Sequence, residues 1–347
     1  MLIVMEVYVK VTINEIAKRA GVSKATVSRV LNNSKPVSEE IKKRVLAVIE
    51  DTNFKPNAVA RSLSLKKSHL IGIIIPDLSN PVFSRIIAGI ESYIRNLDYS
   101  LLITATDFDI EMKIQHIHIL KDKGVDGLIL VTDHGNSEFY EAMLAFGKPI
   151  VMVGSDSFAE SIPFVRIDNY KAACEATQYL IDLGHEKIGM IRGPLTDPQS
   201  GKERFEGYRD TLVKAGLYEE NLIAEGWYSF DDGYHGMEML LSKSQRVTAV
   251  FCACDLMAVG AIKYASEQGL KVPLDLSVIG FDDVEIARMY SPSITTVKQP
   301  FEENGRIAIE TLVQMIEEAE GLAPFHQQIL KHQLVVREST IIRKSEE

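Results

Sequence analysis

From Leu70 onward the chain alternates two hydrophobic periods, and it does so twice over. LIGIIIP at 70–76 is a continuous apolar run ending in a turn, the pattern of a strand buried on both faces. Phe83, Ile86, Ile87, Ile90 and Ile94 then recur at helical spacing. YSLLIT predicts the next strand, 109–123 a helix, VDGLILVT a strand and PIVMV another. After about residue 165 the order restarts, with KIGMIRG, a helix at 203–216, LIAEGWY, a helix at 232–242, VTAVFCAC, a helix at 255–268 and LSVIGFD. Strand–helix alternation leaves parallel sheets covered on both faces as the economical fold. The fold class is therefore α/β, with two like lobes of doubly wound parallel sheet. Side by side, such lobes make a cleft at the carboxyl ends of their strands, where ligands bind.

The 347 residues suffice for two or three domains, and 46% hydrophobic with 25% charged residues excludes a disordered or fibrous chain. No apolar run approaches the roughly 18 residues of a membrane span, so no membrane partner is expected. Three cysteines cannot staple a fold of this size, which points to a reducing, cytoplasmic interior. MLIVMEVYVK carries an acid at Glu6 and no basic start, and it reads as a loose tail with Met5 as a second possible start.

The net charge of −10 hides a split. Residues 1–68 hold 13 Lys+Arg against 6 Asp+Glu, a net +7, and the remainder is −17. A small basic module ahead of an acidic body suits one end that meets a polyanion. Within it, Thr12 and Glu15 have capping-box spacing, and Ile13, Ile16, Ala17 and Ala20 form a helical stripe that Gly21 can close. Ser23 can cap a second helix with Val27, Val30 and Leu31 inward and Lys24, Ala25, Ser28 and Arg29 outward. Two short helices joined by Gly21-Val22-Ser23 make a helix-turn-helix, and a third helix from near Ser38 buries Ile41, Val45, Val48 and Ile49. The outward groups are short or cationic, able to enter a major groove. Pro56 stops the third helix; Asn57 can cap a short helix through Leu63 that is too short to stand alone in water. Arg61 offers a cation there, and Leu63 either a minor-groove wedge or a packing contact with the body.

TINEIAKRAGVSKATVSRVLNN followed by PNAVARSL resembles the DNA-binding head and hinge helix of the lactose-repressor (LacI/GalR) family of bacterial transcription regulators. IIIPDLSNPVF, VDGLIL, GHEKIGMIRGP, RFEGY, CDLMAVGAI, DLSVIGFDD and ITTVKQPF resemble the periplasmic-binding-protein-like core of the same family. The resemblance implies a tail at 1–10, a head at 11–56 and a hinge helix and linker at 57–68. The core would span 69–342, with a first lobe of about 69–165 and 297–327 and a second of about 166–296 and 328–342. It implies that Lys24, Ala25 and Arg29 read a half-site, Thr26 and Ser28 touch nearby bases or phosphates, Asn32 and Asn57 meet the backbone, and Leu63 levers into the centre of a palindromic operator. Thr12, Ala60 and Arg61 complete the expected DNA-facing set.

Candidate ligand groups sit at the strand-to-helix turns: Asp77, Ser79, Asn80, Phe83, Arg204, Trp227, Tyr228, Asp255, Asp282, Asp283, Gln299 and Phe301. Carboxylates, an Arg fork and aromatic faces are a sugar-recognition set. Asp255 could equally be a helix N-cap, and Arg204 with Asp282 an ion pair across the lobes. The resemblance implies Arg204, Tyr228, Asp255, Asp282 and Phe301 as effector contacts, Asn80 and Phe83 lining the first lobe, and Gln299 at the crossover. Cys254 stands where many members carry Asn and removes an amide donor from that spot. No phosphate loop, nucleophile elbow or catalytic constellation is present in the sequence, and His116 and His118, two apart, would diverge on a helix. The expectation is a non-enzymatic repressor without cofactor or metal, controlled by a small sugar-like effector and acting as a homodimer, since LVVRESTIIRKSEE lacks leucine heptads. The alternatives are control by a protein co-regulator, or a cytosolic sugar-binding protein or sugar enzyme with a basic arm.

Overall fold

The computed structural model describes residues 11–32, 35–52, 54, 67–131, 135–156, 162–243, 247–317 and 327–343. The chain forms two compact units that divide after Ser68. The expected tail at 1–10 and hinge helix, with Asn57, Ala60, Arg61 and Leu63, lie outside the described residues.

The first unit contains helices α1 (Ile13–Ala20), α2 (Lys24–Asn32) and α3 (Glu39–Asp51). Thr12 caps α1, its Oγ1 accepting from the Glu15 N–H at 3.4 Å, and Gly21 ends it at φ 64°, a left-handed conformation that glycine adopts without strain. Ser23 Oγ accepts from the Thr26 N–H at 3.1 Å and starts α2. The helices share a core of Ile16, Ala17, Ala20, Val27 and Val45, with Ile41, Val48 and Ile49 packed around it.

The second unit begins with β1 (Leu70–Ile75), α4 (Pro81–Ile94), β2 (Ser100–Ala105), α5 (Ile110–Asp122), β3 (Gly127–Val131), α6 (Ser137–Phe146), β4 (Ile150–Val153) and β5 (Phe164–Ile167). It continues with α7 (Asn169–Asp182), β6 (Ile188–Arg192), a π-helical turn at Pro198–Glu203, α8 (Arg204–Ala215), β7 (Ile223–Glu225), α9 (Phe230–Lys243), β8 (Ala249–Cys252), α10 (Asp255–Glu267) and β9 (Ser277–Asp282). It closes with α11 (Glu285–Met289), β10 (Thr295–Lys298), α12 (Phe301–Glu317), β11 (Gln327–Leu330) and β12 (Gln333–Val335). One sheet runs β11-β5-β4-β3-β1-β2 and is parallel throughout; the other runs β12-β10-β9-β8-β6-β7, antiparallel only at β12. These are the two lobes.

Alternation along each buried strand feeds two cores per sheet. Ile71, Ile73 and Ile75 of β1 join Phe83, Ile86, Ile90 and Leu312 beneath α4 and α12, whereas Ile74 joins Ile117 and Phe139 beneath α5 and α6. The second sheet is covered likewise by α7 and α8 on one face and by α9 and α10 on the other.

The strands place the crossovers later than the expected lobe boundaries. The first sheet keeps β5 to Ile167 and β11 to Leu330, and the second keeps β10 to Lys298. The expected breaks at 165, 296 and 327 therefore fall inside strands, because hydrogen-bonded register continues until the turn residues Asp168, Gln299 and Lys331. The LIAEGWY strand is shorter than expected: β7 ends at Glu225, and Tyr228 turns at φ 67°.

Candidate nucleic-acid interface and interlobe cleft

On the head, Val27 is fully buried and fixes the roll of α2. That roll leaves Lys24, Ala25 and Arg29 exposed and Thr26 and Ser28 half-buried. Thr26 Oγ1 lies 2.9 Å from the capping Ser23 hydroxyl, so part of its capacity is spent on starting the helix. Thr12 is exposed at the start of α1, and Asn32 is the last residue of α2. Lys24, Ala25 and Arg29 thus lie on the outer side of α2, and Thr12 at the N-cap of α1.

Between the lobes lies a cavity of about 110 Å³. Its first-lobe wall is largely apolar, with Phe83, Ile86, Phe108, Val131, Val153 and Phe301 beside Asn80 and Asn304. Close contact of α4 and α12 sets this wall. A Cβ on Gly89 would lie 2.0 Å from the Glu302 carbonyl oxygen, and one on Gly305 would lie 2.0 Å from that of Ile86. Only glycine allows such an approach of two backbones. It brings Phe83 alongside Phe301 and Asn304. Asn80 caps α4, its Oδ1 accepting from the Val82 N–H at 3.0 Å.

The second-lobe wall is polar and built around Arg204, which is 4% exposed. Its Nε donates to Asn169 Oδ1 at 2.9 Å and its Nη1 to the Ala253 carbonyl at 2.5 Å. Its Nη2 faces Asp282 Oδ1 at 3.5 Å, and its Cζ lies over the Phe281 ring, 3.7 Å from the ring centre. Asp282 Oδ1 also accepts from Gln299 Nε2 at 2.7 Å. Burial pushes the Asp282 carboxyl up from its ordinary pKa, against the pull of Arg204 and Gln299. Both partners belong to the second lobe, so the ion pair lies within it, unlike the alternative of a pair across the lobes. Tyr228 donates to Asp197 Oδ2 at 2.6 Å, while Asp197 Oδ1 accepts the N–H groups of Gln199 and Ser200 at 3.1 and 2.9 Å. Burial raises the Tyr228 phenol well above its usual range, so it stays a donor. A Cβ on Gly193 would lie 2.2 Å from the Tyr228 hydroxyl, which explains the glycine after β6.

The cavity gathers Asn80, Phe83, Arg204, Tyr228, Asp282, Gln299 and Phe301, seven of the expected effector residues, together with Cys254. Asp255 does not line it. Fully buried, Asp255 accepts from the Val284 N–H at 2.8 Å and from the Thr296 hydroxyl at 2.5 Å. It therefore ties α10 to the turn after β9 and to β10, behind the wall. Nor is it the N-cap, a position held by Cys254 without a side-chain cap bond. The Cys254 Sγ instead lies 3.4 Å from the Tyr228 carbonyl oxygen, and burial pushes its thiol up, so it stays protonated. Asp77 and Ser79 bond to each other, and Asp283 pairs with Arg337 at 2.5 Å.

Asn169, Asp197, Ser200, Phe108 and Asn304 were missed from sequence. Asn304 carried a signal: it occupies a core position in the stripe Phe301, Gly305, Ala308, Ile309, Leu312. Several side-chain contacts among the described residues bridge the lobes, among them Arg166 of β5 donating from Nη1 to Glu203 Oε2 at 3.2 Å. Phe108 meets Trp227 edge-on with ring centres 6.4 Å apart. Arg85 of α4 donates to the Asp283 carbonyl at 2.9 Å while clasping both Glu302 oxygens, which holds the Glu302 carboxyl below its usual pKa.

A helix-turn-helix unit followed by a two-lobed sheet core with an interlobe cavity defines a ligand-responsive DNA-binding regulator. Comparison with known proteins agrees. The family model described as bacterial regulatory proteins, lacI family, matches residues 12–57, and a periplasmic binding protein-like domain matches 177–340. Over 331 residues the chain is 35% identical to catabolite control protein A of Priestia megaterium, covering 95% of this chain and 99% of that protein. It is 37% identical over 330 residues to the ribose operon repressor of Haemophilus influenzae, covering 94% and 98%. The solved lac repressor dimer bound to operator and the anti-inducer ONPF superposes with a TM-score of 0.84 at 29% identity, over 95% of this chain and 99% of that one. The chain belongs to the LacI family of bacterial regulatory proteins and is a DNA-binding transcription regulator. Among the described residues, no helix is long and apolar enough to cross a membrane.

Proposed function

We propose that this regulator is a cytoplasmic homodimeric repressor whose hold on a palindromic operator is set by a small sugar-like effector in the interlobe cavity. It acts by binding and not by catalysis. The observation that carries this reading is the cavity itself, which takes one wall from each lobe. A ligand there changes how the lobes pair, and Arg85 carries the change from the Asp282–Asp283 turn to α4. Coupling between effector and operator is then reciprocal, each changing the other's affinity by the same factor. The ribose operon repressor among its relatives supports a sugar-like ligand.

Lys24, Ala25, Thr26, Ser28 and Arg29 are the groove-facing set, with Thr12 and Asn32 toward phosphates. Asn57, Ala60, Arg61 and Leu63, in the segment after the head, supply the hinge contacts.

Selection of random duplex DNA on the purified chain at physiological salt should return a palindrome with a flexible pyrimidine–purine centre. On that site Leu63→Ala should bind much more weakly, and Arg29→Ala should lower the slope of log affinity against log salt by about one. Enrichment of no sequence, or an unchanged salt slope for Arg29→Ala, would count against the corresponding part of the reading. Effector binding can be followed by the emission of Trp227, the single tryptophan, at its contact with Phe108.

A further inference from the structure

We infer that the cavity selects an uncharged, polyhydroxylated ligand with one apolar face, and that Asn304 is the residue that reads it from the first lobe. This rests on the effector reading above and narrows it to a class.

The charged groups of the cavity are occupied before any ligand arrives. Each of the three Arg204 nitrogens already faces a partner, and one face of its guanidinium lies on Phe281. Asp197 is filled by Tyr228 and two backbone N–H groups. Asp282 shares one oxygen between Arg204 and Gln299 and keeps the other. Among the described residues that line the cavity, an incoming phosphate or carboxylate would find no unengaged cation and would approach that remaining carboxylate oxygen. Like charges brought together out of water are strongly unfavourable. An ammonium ligand fares little better, since Asp282 already has its cation.

What remains is neutral. By valence, Asn80 keeps its amide N–H groups after capping α4 and Asn169 keeps its own after accepting from Arg204. Ser200 keeps its hydroxyl and Gln299 its carbonyl oxygen. A set of amides and hydroxyls that both donate and accept matches hydroxyl groups, which do the same. The opposite wall of Phe83, Ile86 and Phe301 requires a face of C–H groups, as a sugar ring has. At roughly 10–15 Å³ per water the cavity has room for several, about the bulk of one monosaccharide.

Asn304 is the sharpest observation. It is 2% exposed, lines the cavity, and its Oδ1 has no hydrogen-bond partner. A buried unpaired amide costs stability, and its neighbours on α12 show that an apolar side chain would fit the position. A ligand hydroxyl donating to Oδ1 removes that cost.

The test is calorimetry on the full-length chain. The probes are ribose, xylose, glucose, galactose and myo-inositol, set against the phosphate monoesters and aldonates of the sugars. At least one neutral compound should bind, with its charged derivatives roughly a hundredfold weaker. Asn304→Leu should lower affinity for that compound by about tenfold and raise the melting temperature of the ligand-free protein. Asn304→Ser, smaller and still polar, should lose affinity without that thermal gain and serves if the leucine variant misfolds.

A phosphate ester or aldonate that binds more tightly than its parent sugar would overturn the neutral class and leave the effector reading intact. Binding by both Asn304 variants at the wild-type affinity would overturn the role of Asn304. No binding by any compound, with operator affinity also unmoved by all of them, would overturn the effector reading itself.

Discussion

The two walls of the cleft come from sheets of matching strand order, yet they solve opposite problems. The second-lobe wall buries charge and neutralises it internally: Arg204, Asn169, Asp282 and Gln299 form one connected set. The first-lobe wall buries hydrocarbon and leaves the amide oxygen of Asn304 unpaired. One wall has its charges paired without a ligand, and the other holds a buried amide oxygen that has no partner. Selectivity against charge therefore belongs to the finished wall, and the free energy available for closing on a ligand belongs to the unfinished one. Preorganised polar groups lose nothing further when they meet a ligand, whereas an orphaned group gains.

The largest way to break this contrast is to open the finished wall. Arg204→Met should leave the Asp282 carboxylate buried without its cation and cost about 3–5 kcal/mol in urea unfolding. A loss below about 1 kcal/mol would mean that the network is not closed in solution. The next test acts on the apolar wall. Gly305→Ala pushes α4 from α12 by placing a methyl against the Ile86 carbonyl, and should cost about 1–3 kcal/mol. It should also weaken effector binding, because Phe83 and Phe301 no longer face one space. Unchanged ligand affinity would show that the first-lobe wall does not set recognition.

The smallest effect concerns Asp255 behind the polar wall. Burial, then the nearby Asp282 charge, raises its carboxyl well above 3.8 despite two hydrogen bonds. A folded-state pKa above the unfolded one means that the folded chain binds the proton more tightly. Stability from this group is thus fully present below about pH 3.8 and is lost as pH rises through the raised value. Asp255→Asn keeps an acceptor for the Val284 N–H and removes the ionisation. Its unfolding free energy should exceed that of wild type at neutral pH, with the gap closing as pH falls. A gap that widens on acidification would reverse the sign.

Much of this was legible in the chain. The Thr12 and Gly21 caps, the stripe through Ile16, Ala17 and Ala20 and the burial of Val27 follow from local rules, because a helix of eight residues is decided by its ends and one face. The β-α alternation likewise fixed two sheets, parallel except at the added edge strand β12. What resisted was the use of each polar residue. Asp255 and Asp282 stand in similar strand-to-helix turns, yet one clamps three elements from behind while the other faces the cavity. Asn169, Asp197 and Asn304 reach the cleft from elements far apart in sequence. Sequence by itself determined the elements, the faces they bury and the division into a basic head and an acidic core, since hydrophobic period and capping act over a few residues. Only the tertiary structure decided which charges are satisfied and which buried amide oxygens, such as that of Asn304, are not, since a hydrogen-bond partner is set by distance in space and not by position in the chain.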